Sequence, residues 1–341
     1  MKKTIFIAAA ALVGLAACNK ENDIPAVQAG ESAELTVSVS SPLTKATEVS
    51  AEDEASVNTL QVLVFNGESL DAYGMVSGET SLKLSCTAGR RTVYAVVNAA
   101  EELSGITSKA EFLKRGSLLE DNATDSFVMT GQKEVTLPQA TDVDIEVSRI
   151  AARVVIRKIT SALEGALADA EFSVDGIYLI NVSGGQKSLM APDEAIASDG
   201  LWLNRMHGEK ELEELTSDTL EGVSLKGGKS YEKTHMFYAY PNPTEEDFFH
   251  GTEEGKEWSA RHTRLVVEAT IGGETRWFPL TMPVMQANRS YEINELVIRH
   301  IGSDDPDTPV SSSDVTFSVT VRDWTQVIVS GPGESDGIWT I

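Results

Sequence analysis

The chain has 341 residues, a length that suits two domains of ordinary size. Acidic residues number 52 and basic residues 28, and the formal net charge of −24 excludes nucleic acid as a partner because phosphate groups would be repelled. Hydrophobic residues make up 41% and charged residues 23%, close to the usual globular mixture, which argues against wholesale disorder.

The first 18 residues have the pattern of an export signal. A short basic region, Met1-Lys2-Lys3, precedes an apolar run that ends in small residues before Cys18. This ending resembles the lipobox of bacterial lipoproteins, whose cysteine thiol is acylated; the alternative is a plain secretory signal with an incidental cysteine. We expect residues 1–18 to be a lipoprotein signal peptide, with palmitate-type lipid on Cys18 as the only attachment to a membrane.

From residue 33 onward the sequence has the two-residue alternation of β-strands. The first such segment, 33–40, places Leu35, Val37 and Val39 on one face of a strand. Further strands are predicted at 59–65, 81–86, 91–98, 133–137, 143–147, 171–181, 235–240, 263–271, 274–282, 290–298, 315–321 and 326–330. A helical signal covers 101–120. The predicted fold class is therefore all-β, mainly β with minor helix.

A basic and apolar segment, residues 149–159, contrasts with its acidic surroundings and marks a domain junction. The sequence predicts an N-terminal β-sandwich domain at 46–147 and a C-terminal β-sandwich domain at 148–301. Residues 19–45 form a tether and the first strand. Residues 302–341 begin with a linker rich in Pro, Asp and Ser (302–313) and continue into C-terminal strands.

No motif supports catalysis or metal binding. The Gly-x-Ser-x-Gly and His-Glu-x-x-His patterns are absent, and the five histidines lack metal-ligand spacing. Trp202, Trp258 and Trp277 are expected in the core, with stacking on sugars as the alternative. We therefore predict a protein that is not an enzyme and has no cofactor and no metal site.

Several segments, in their order and spacing, resemble the major fimbrial subunits, or fimbrillins, of Bacteroidetes, whose polymers are type V pili. The segments are the lipobox at Cys18 and residues 60–67, 86–93, 148–154, 287–293 and 319–324. The resemblance implies two β-sandwich domains of transthyretin-like Greek-key topology. It also implies a surface lipoprotein precursor that a trypsin-like protease cuts before the subunits polymerise into fimbriae for adhesion.

A protease of that kind needs a basic residue, and Lys45 is the only one between Lys20 and Lys83. We expect cleavage between Lys45 and Ala46, the alternative being a lysine that is merely solvated in a loop. The best-known relatives are cut after Arg, so the protease is left open. Cleavage there removes the strand with Leu35, and loss of a strand opens a groove that an incoming strand can fill.

The expected donor strand has four apolar side chains on one face, Val315, Phe317, Val319 and Val321, and the linker at 302–313 supplies its reach. The expected partners are other copies of the chain in a head-to-tail polymer, other fimbrial subunits, the maturation protease, and a host protein or glycan. The expected location is the outer membrane for the lipoprotein precursor and then the cell-surface fimbrium.

Two alternatives stay open. The chain can be a tip or anchor subunit of the fimbrium rather than a stalk subunit. It can also be a glycan-binding surface lipoprotein, which would use exposed aromatic residues such as Trp258 and keep its lipid and first strand.

Overall fold

The computed structural model describes residues 30–40, 54–138, 141–196, 200–205, 211–246, 259–324 and, for the backbone, 338–340. The predicted lipidation site Cys18, the cleavage site at Lys45 and Ala46, and Trp258 lie outside the described residues. Within these ranges, no helix has the length and apolar character that crossing a bilayer requires.

The described residues of the N-terminal half form nine strands. They are β1 (Ser32–Ser40), β2 (Thr59–Asn66), β3 (Ser69–Ser77), β4 (Ser81–Thr87), β5 (Gly89–Val97), β6 (Ser117–Leu118), β7 (Met129–Leu137), β8 (Asp142–Glu146) and β9 (Ser148–Arg149). A single α-helical turn, α1 (Lys109–Phe112), and a 3₁₀ turn (Leu119–Asp121) lie between β5 and β7.

The C-terminal half contains sixteen described strands. They are β10 (Ala152–Ile156), β11 (Ile159–Ser161), β12 (Phe172–Ile180), β13 (Val182–Ser183), β14 (Gly185–Gln186), β15 (Trp202–Leu203), β16 (Ser217–Ser224), β17 (Ser230–Tyr231), β18 (His235–Ala239), β19 (Arg264–Ile271), β20 (Glu274–Thr281), β21 (Arg289–Ile293), β22 (Leu296–Ile298), β23 (Val315–Thr316), β24 (Ser318–Asp323) and β25 (Ile338–Thr340). A 3₁₀ turn (Gly165–Leu167) and the short helix α2 (Glu213–Thr216) complete it.

Two sheets face each other in the N-terminal half. The smaller has the order β4-β1-β8 and the larger the order β3-β2-β5-β7-β9. Alternate side chains of β1, such as Leu35 and Val37, share one apolar cluster with Leu60, Val62 and Val64 of β2. Alternation of apolar residues along strands of two sheets produces this kind of sandwich core.

The C-terminal half has a five-stranded sheet, β18-β10-β21-β24-β25, and a four-stranded sheet, β16-β12-β19-β20, with a further sheet of order β17-β11-β22-β23. Their inward side chains belong to a second apolar cluster. Leu63 and Phe65, on the other face of β2, pack into that same cluster. Strand β2 is therefore apolar on both faces because each face is buried against a different core.

The chain leaves the N-terminal sheet after Arg149 in β9 and enters the C-terminal sheet at Ala152 in β10. The two halves also pair directly, because Ser117 and Leu118 of β6 lie antiparallel to Gly185 and Gln186 of β14. This contact needs close backbones: a Cβ atom on Gly116 would lie 2.1 Å from the Gln186 carbonyl oxygen.

The predicted all-β class is confirmed. The helix predicted at 101–120 is wrong in its extent, since only Lys109–Phe112 is α-helical. Its apolar spacing comes from the loop residues Leu103 and Ile106 and from Phe112 at the end of α1, and all three are buried in the core. Strands β3 and β16 were not predicted, because most of their side chains are partly exposed on both faces and the alternation is weak.

Candidate functional site

Strand β1 is the central strand of its sheet and is paired along both edges. It lies antiparallel to β4, with Ser32–Ser38 opposite Ser81–Thr87, and parallel to β8, with Thr36–Ser40 opposite Asp142–Glu146. Further backbone hydrogen bonds extend both ladders, including Thr36 N to the Thr141 carbonyl oxygen at 2.7 Å. Removal of this strand would leave two sheet edges facing each other without a partner.

The predicted removed strand also fills the N-terminal core. Leu35 and Val37 are fully buried and Val39 is 8% exposed, while Glu34, Thr36 and Ser38 lie on the other face. Beneath them lie the inward side chains of the facing sheet, together with Leu84 of β4 and Val143 and Ile145 of β8. The alternation of apolar residues that predicts the strand therefore also places its inward side chains in an apolar groove between β4 and β8.

Strand β4 is held independently of β1 by a buried ion pair. The Arg91 Nε atom of β5 lies 2.7 Å from Asp71 Oδ2 of β3, and Asp71 also accepts hydrogen bonds from the backbone N–H and hydroxyl of Thr87. Burial acts to raise the pKa of the Asp71 carboxyl, but the hydrogen bonds from Thr87 and Arg91 outweigh burial and hold that pKa below its usual value. This pair fixes one wall of the groove without any contribution from β1.

Cys86 also lies in this wall. It is opposite Ala33 in the register of β4 and β1, is 5% exposed, and its Sγ lies 3.7 Å from the Ala33 carbonyl oxygen. Burial raises the pKa of the Cys86 thiol above its usual value, so the thiolate fraction is small at neutral pH. Cys86 therefore lies next to whichever residue occupies the position of Ala33, and a disulfide with a cysteine placed there would report which strand fills that position.

The structure places the predicted donor residues in the C-terminal domain. Val315 belongs to β23, and Val319 and Val321 to β24, which lies between β21 and the last strand, β25. Val315, Phe317 and Val319 are buried at 3%, 7% and 2% exposure, and Val321 is partly buried. Val315, Phe317 and Val319 belong to the apolar cluster of the C-terminal half and Val321 packs against it, although β23 and β24 pair in different sheets.

The linker at 302–313 is less free than its composition predicts. Ser303 and Trp277 exchange backbone hydrogen bonds of 2.8 and 2.9 Å. The Asp307 carboxylate accepts hydrogen bonds from the buried Arg264 at 2.7 Å, from Arg261, and from Asn181 at 2.9 Å. Because Asp307 is fixed in this way, Val310 packs on the core cluster and the Asp314 carbonyl oxygen accepts a hydrogen bond from Arg299 N at 2.8 Å, the segment before Val315 is also attached to its own domain.

A buried polar cluster joins three distant parts of the chain at Glu54. This residue is 1% exposed, and its Oε2 atom accepts hydrogen bonds from Arg153 Nη1 and Trp324 Nε1, both at 2.8 Å. Its Oε1 atom accepts one from the Tyr238 hydroxyl at 2.6 Å, and its backbone oxygen accepts one from Arg149 Nε at 3.0 Å. The sequence analysis missed this cluster because its members are up to 270 positions apart and belong to no motif.

Trp324 follows β24 directly and is enclosed by this cluster. Its ring lies 5.1 Å from that of Phe127 and 5.6 Å from that of Tyr238, and the guanidinium groups of Arg149 and Arg153 lie 4.7 and 5.4 Å from it. Burial lowers the pKa of Arg149 to about 10, so this guanidinium remains cationic at neutral pH. One carboxylate and an aromatic face together balance two buried cations.

The other predicted features give no second site. Trp202 is buried at 3% exposure and Trp277 is partly buried. Within the described ranges, no group of three His, Cys, Asp or Glu side chains is arranged to hold a metal ion.

Comparisons with known proteins agree with this geometry. Residues 33–154, which begin within β1, match the family model described as major fimbrial subunit protein (FimA). Major fimbrium subunit FimA type-2 of Porphyromonas gingivalis is 27% identical over 202 residues, covering 53% of this chain and 52% of the relative. FimA type-3 of the same organism is 27% identical over 203 residues, with the same shares covered. The chain thus spans about half the length of the curated relatives it matches.

Solved structures resemble the whole fold. A fimbrilin from Porphyromonas gingivalis W83 has a TM-score of 0.60 at 15% identity, covering 87% of this chain and 98% of that chain. A candidate cell adhesion protein from Bacteroides eggerthii has a TM-score of 0.62 at 17% identity, covering 89% and 98%. At such identities the likeness shows the fold alone. The matched FimA relatives are named as major fimbrium subunits and not as enzymes.

Proposed function

We propose that this chain, whose residues 33–154 match the family model of the major fimbrial subunit protein FimA, is a structural subunit of a cell-surface fimbrium. The precursor is exported, acylated at Cys18 and held at the outer membrane. A trypsin-like protease then cuts between Lys45 and Ala46, and the subunits polymerise by strand exchange with further copies and with other fimbrial subunits. The fimbrium serves adhesion to a host protein or glycan.

The central position of β1 is the observation that carries this proposal. A cut before β2 leaves β1 attached to the domain only by non-covalent contacts. Burial of Leu35, Val37 and Val39 contributes roughly 5 to 9 kcal/mol in gross apolar terms. A domain that has lost this strand exposes the groove and two unpaired edges, so it binds a replacement strand strongly.

The C-terminal strand fits this groove in length and pattern. Residues 315–321 and residues 33–39 are both seven residues long, and each segment has four inward side chains in alternation. If the donor runs in the direction of β1, Val315 takes the place of Ala33 and Phe317 that of Leu35. The reverse direction would put Phe317 over the smaller Val37, so the first direction is the one we propose.

Transfer of this strand exchanges one buried environment for another, because Phe317 and Val319 are already buried in their own domain. The net free energy of transfer is therefore the difference between burial in the donor's own domain and burial in the groove of the acceptor. Only an acceptor that has lost β1 has an open groove. Charge does not assist: residues 1–45 contain four basic and four acidic residues, so the chain from Ala46 keeps the net charge of −24. Apolar and backbone contacts must outweigh the repulsion between subunits.

Limited trypsin digestion of the ectodomain that starts at Asn19 tests the proposal. We expect an early cut after Lys45, seen by intact mass, followed by filaments in electron micrographs. The variant Lys45→Ala should stay monomeric under the same treatment. Lys226→Ala is the matched control, because Lys226 lies in an exposed ion pair with Glu171 on the C-terminal half and should leave cutting and assembly unchanged.

Two results would contradict the proposal. One is a wild-type chain that is cut after Lys45 and remains a stable monomer. The other is a Lys45→Ala variant that forms filaments as quickly as the wild type.

A further inference from the structure

The cluster at Glu54 lies where the proposed assembly needs a control. Glu54 follows Lys45 by nine positions in the chain, and Trp324 is the residue directly after β24. Arg149 and Tyr238 come from the N-terminal sheet and from β18. Glu54 thus connects the residue after the proposed donor strand to both halves of its own chain.

Departure of β24 requires Trp324 to leave this site. The backbone N–H of Trp324 bonds the Asn288 carbonyl oxygen at 3.0 Å, and its indole N–H bonds Glu54. Leaving therefore breaks two hydrogen bonds and removes the aromatic face from Arg149 and Arg153. The bond to a carboxylate is the stronger of the two because its acceptor is charged.

The cluster survives this departure. Glu54 keeps its hydrogen bonds from Arg153 and Tyr238, so no buried charge is left without a partner. Loss of an isolated partner from a buried ion pair is far more unfavourable than loss of one hydrogen bond among several. The contact of Trp324 is therefore one that can open while the rest of the domain stays folded.

We propose that Glu54 and Trp324 form a latch, a positioning contact that retains β24 in its own domain until an acceptor groove receives it. The inference rests on the proposed function, since it takes β24 as the donor strand. The latch sets how often the donor opens in a monomer and therefore how fast cut subunits assemble.

The variant Trp324→Phe tests the latch because it keeps an aromatic ring and removes the indole N–H. Hydrogen exchange of residues 318–323 in the uncut ectodomain measures opening without any need for polymer. Loss of a hydrogen bond to a charged acceptor should speed this exchange about tenfold or more. Trp277→Phe is the matched control: it removes an indole bond to Glu268 of 3.3 Å elsewhere in the same domain and should leave residues 318–323 protected.

After trypsin cleavage, Trp324→Phe should also assemble faster than the wild type by a similar factor. Unchanged exchange at 318–323 in Trp324→Phe, or an equal increase in Trp277→Phe, would overturn the latch even if filaments form normally. Faster exchange in a protein that never forms filaments would support the latch and contradict the proposed function instead. The two failures are therefore distinguishable.

Discussion

Substitution of Leu35 should change the stability of the uncut precursor and leave that of the proposed polymer unchanged. Leu35 is fully buried in β1, opposite Leu84 of β4, and packs into the N-terminal core. Leu35→Ala removes three carbon atoms from this core and leaves a cavity, which lowers the free energy of unfolding of the uncut chain by about 3 kcal/mol. A filament subunit that begins at Ala46 no longer contains this residue, so its stability should not change.

Urea denaturation measures both states. Uncut Leu35→Ala ectodomain should unfold at a lower urea concentration than the wild type, while filaments grown from the same variant should dissolve at the wild-type concentration. Leu84→Ala is the matched control: Leu84 is 8% exposed, faces the same core and stays in the mature subunit. It should weaken the precursor and the filament alike.

The reasoning fails if Leu35→Ala filaments are weakened as much as Leu84→Ala filaments. That result would show that β1 remains in the polymer. An uncut Leu35→Ala ectodomain as stable as the wild type would also contradict the prediction, since a fully buried leucine would then contribute nothing to the stability of the N-terminal core.

Two further variants test the register and the groove wall. In cut subunits, Val315→Cys should form an intermolecular disulfide with Cys86 and give a ladder on non-reducing gels, because cross-strand neighbours lie within disulfide distance. Thr316→Cys is the control, since its side chain points to the opposite face and should form no such disulfide. A ladder from Thr316→Cys alone would refute the register. Asp71→Asn should lower the free energy of unfolding by about 3 kcal/mol at pH 7, because Arg91 is 4% exposed and loses its counter-charge. Since the folded-state pKa of Asp71 is depressed, its contribution is present above the unfolded pKa and disappears as the pH falls through the folded one, so urea titrations at pH 7 and pH 3 should show a shrinking difference.

The sequence predicts those elements whose chemistry is local. The alternation at 33–40 gives a strand with Leu35, Val37 and Val39 inward, and the structure has it at Ser32–Ser40. The segment at 59–65 is apolar except for Thr59 and Gln61, and its strand is found at Thr59–Asn66 with both faces buried. In both strands, the apolar side chains that identify the strand in the sequence are also the ones that form the core. A short window of sequence therefore suffices to predict each strand.

The cluster at Glu54 shows what a local pattern leaves out. An acidic residue in an acidic segment has no sequence feature that marks it as buried, and its partners come from β10, β18 and the end of β24. The linker shows the same limit: the composition of 302–313 indicates a flexible lead, but Asp307 is fixed by arginines more than 40 positions away. Long-range ion pairs decide both cases.

In the proposed mechanism, the positions of groove and donor explain why cleavage can act as the switch for assembly. In the uncut chain β1 is joined to its own domain by a short segment, so its effective concentration at the groove exceeds that of any strand from another molecule. A cut after Lys45 turns β1 into a separate peptide that diffuses away once it is released. The groove then lies in the N-terminal sheet and the donor in the C-terminal sheet of each subunit, so each exchange joins unlike surfaces. Such contacts are heterologous and leave a free groove and a free donor at opposite ends, and repeated addition gives a filament rather than a closed dimer.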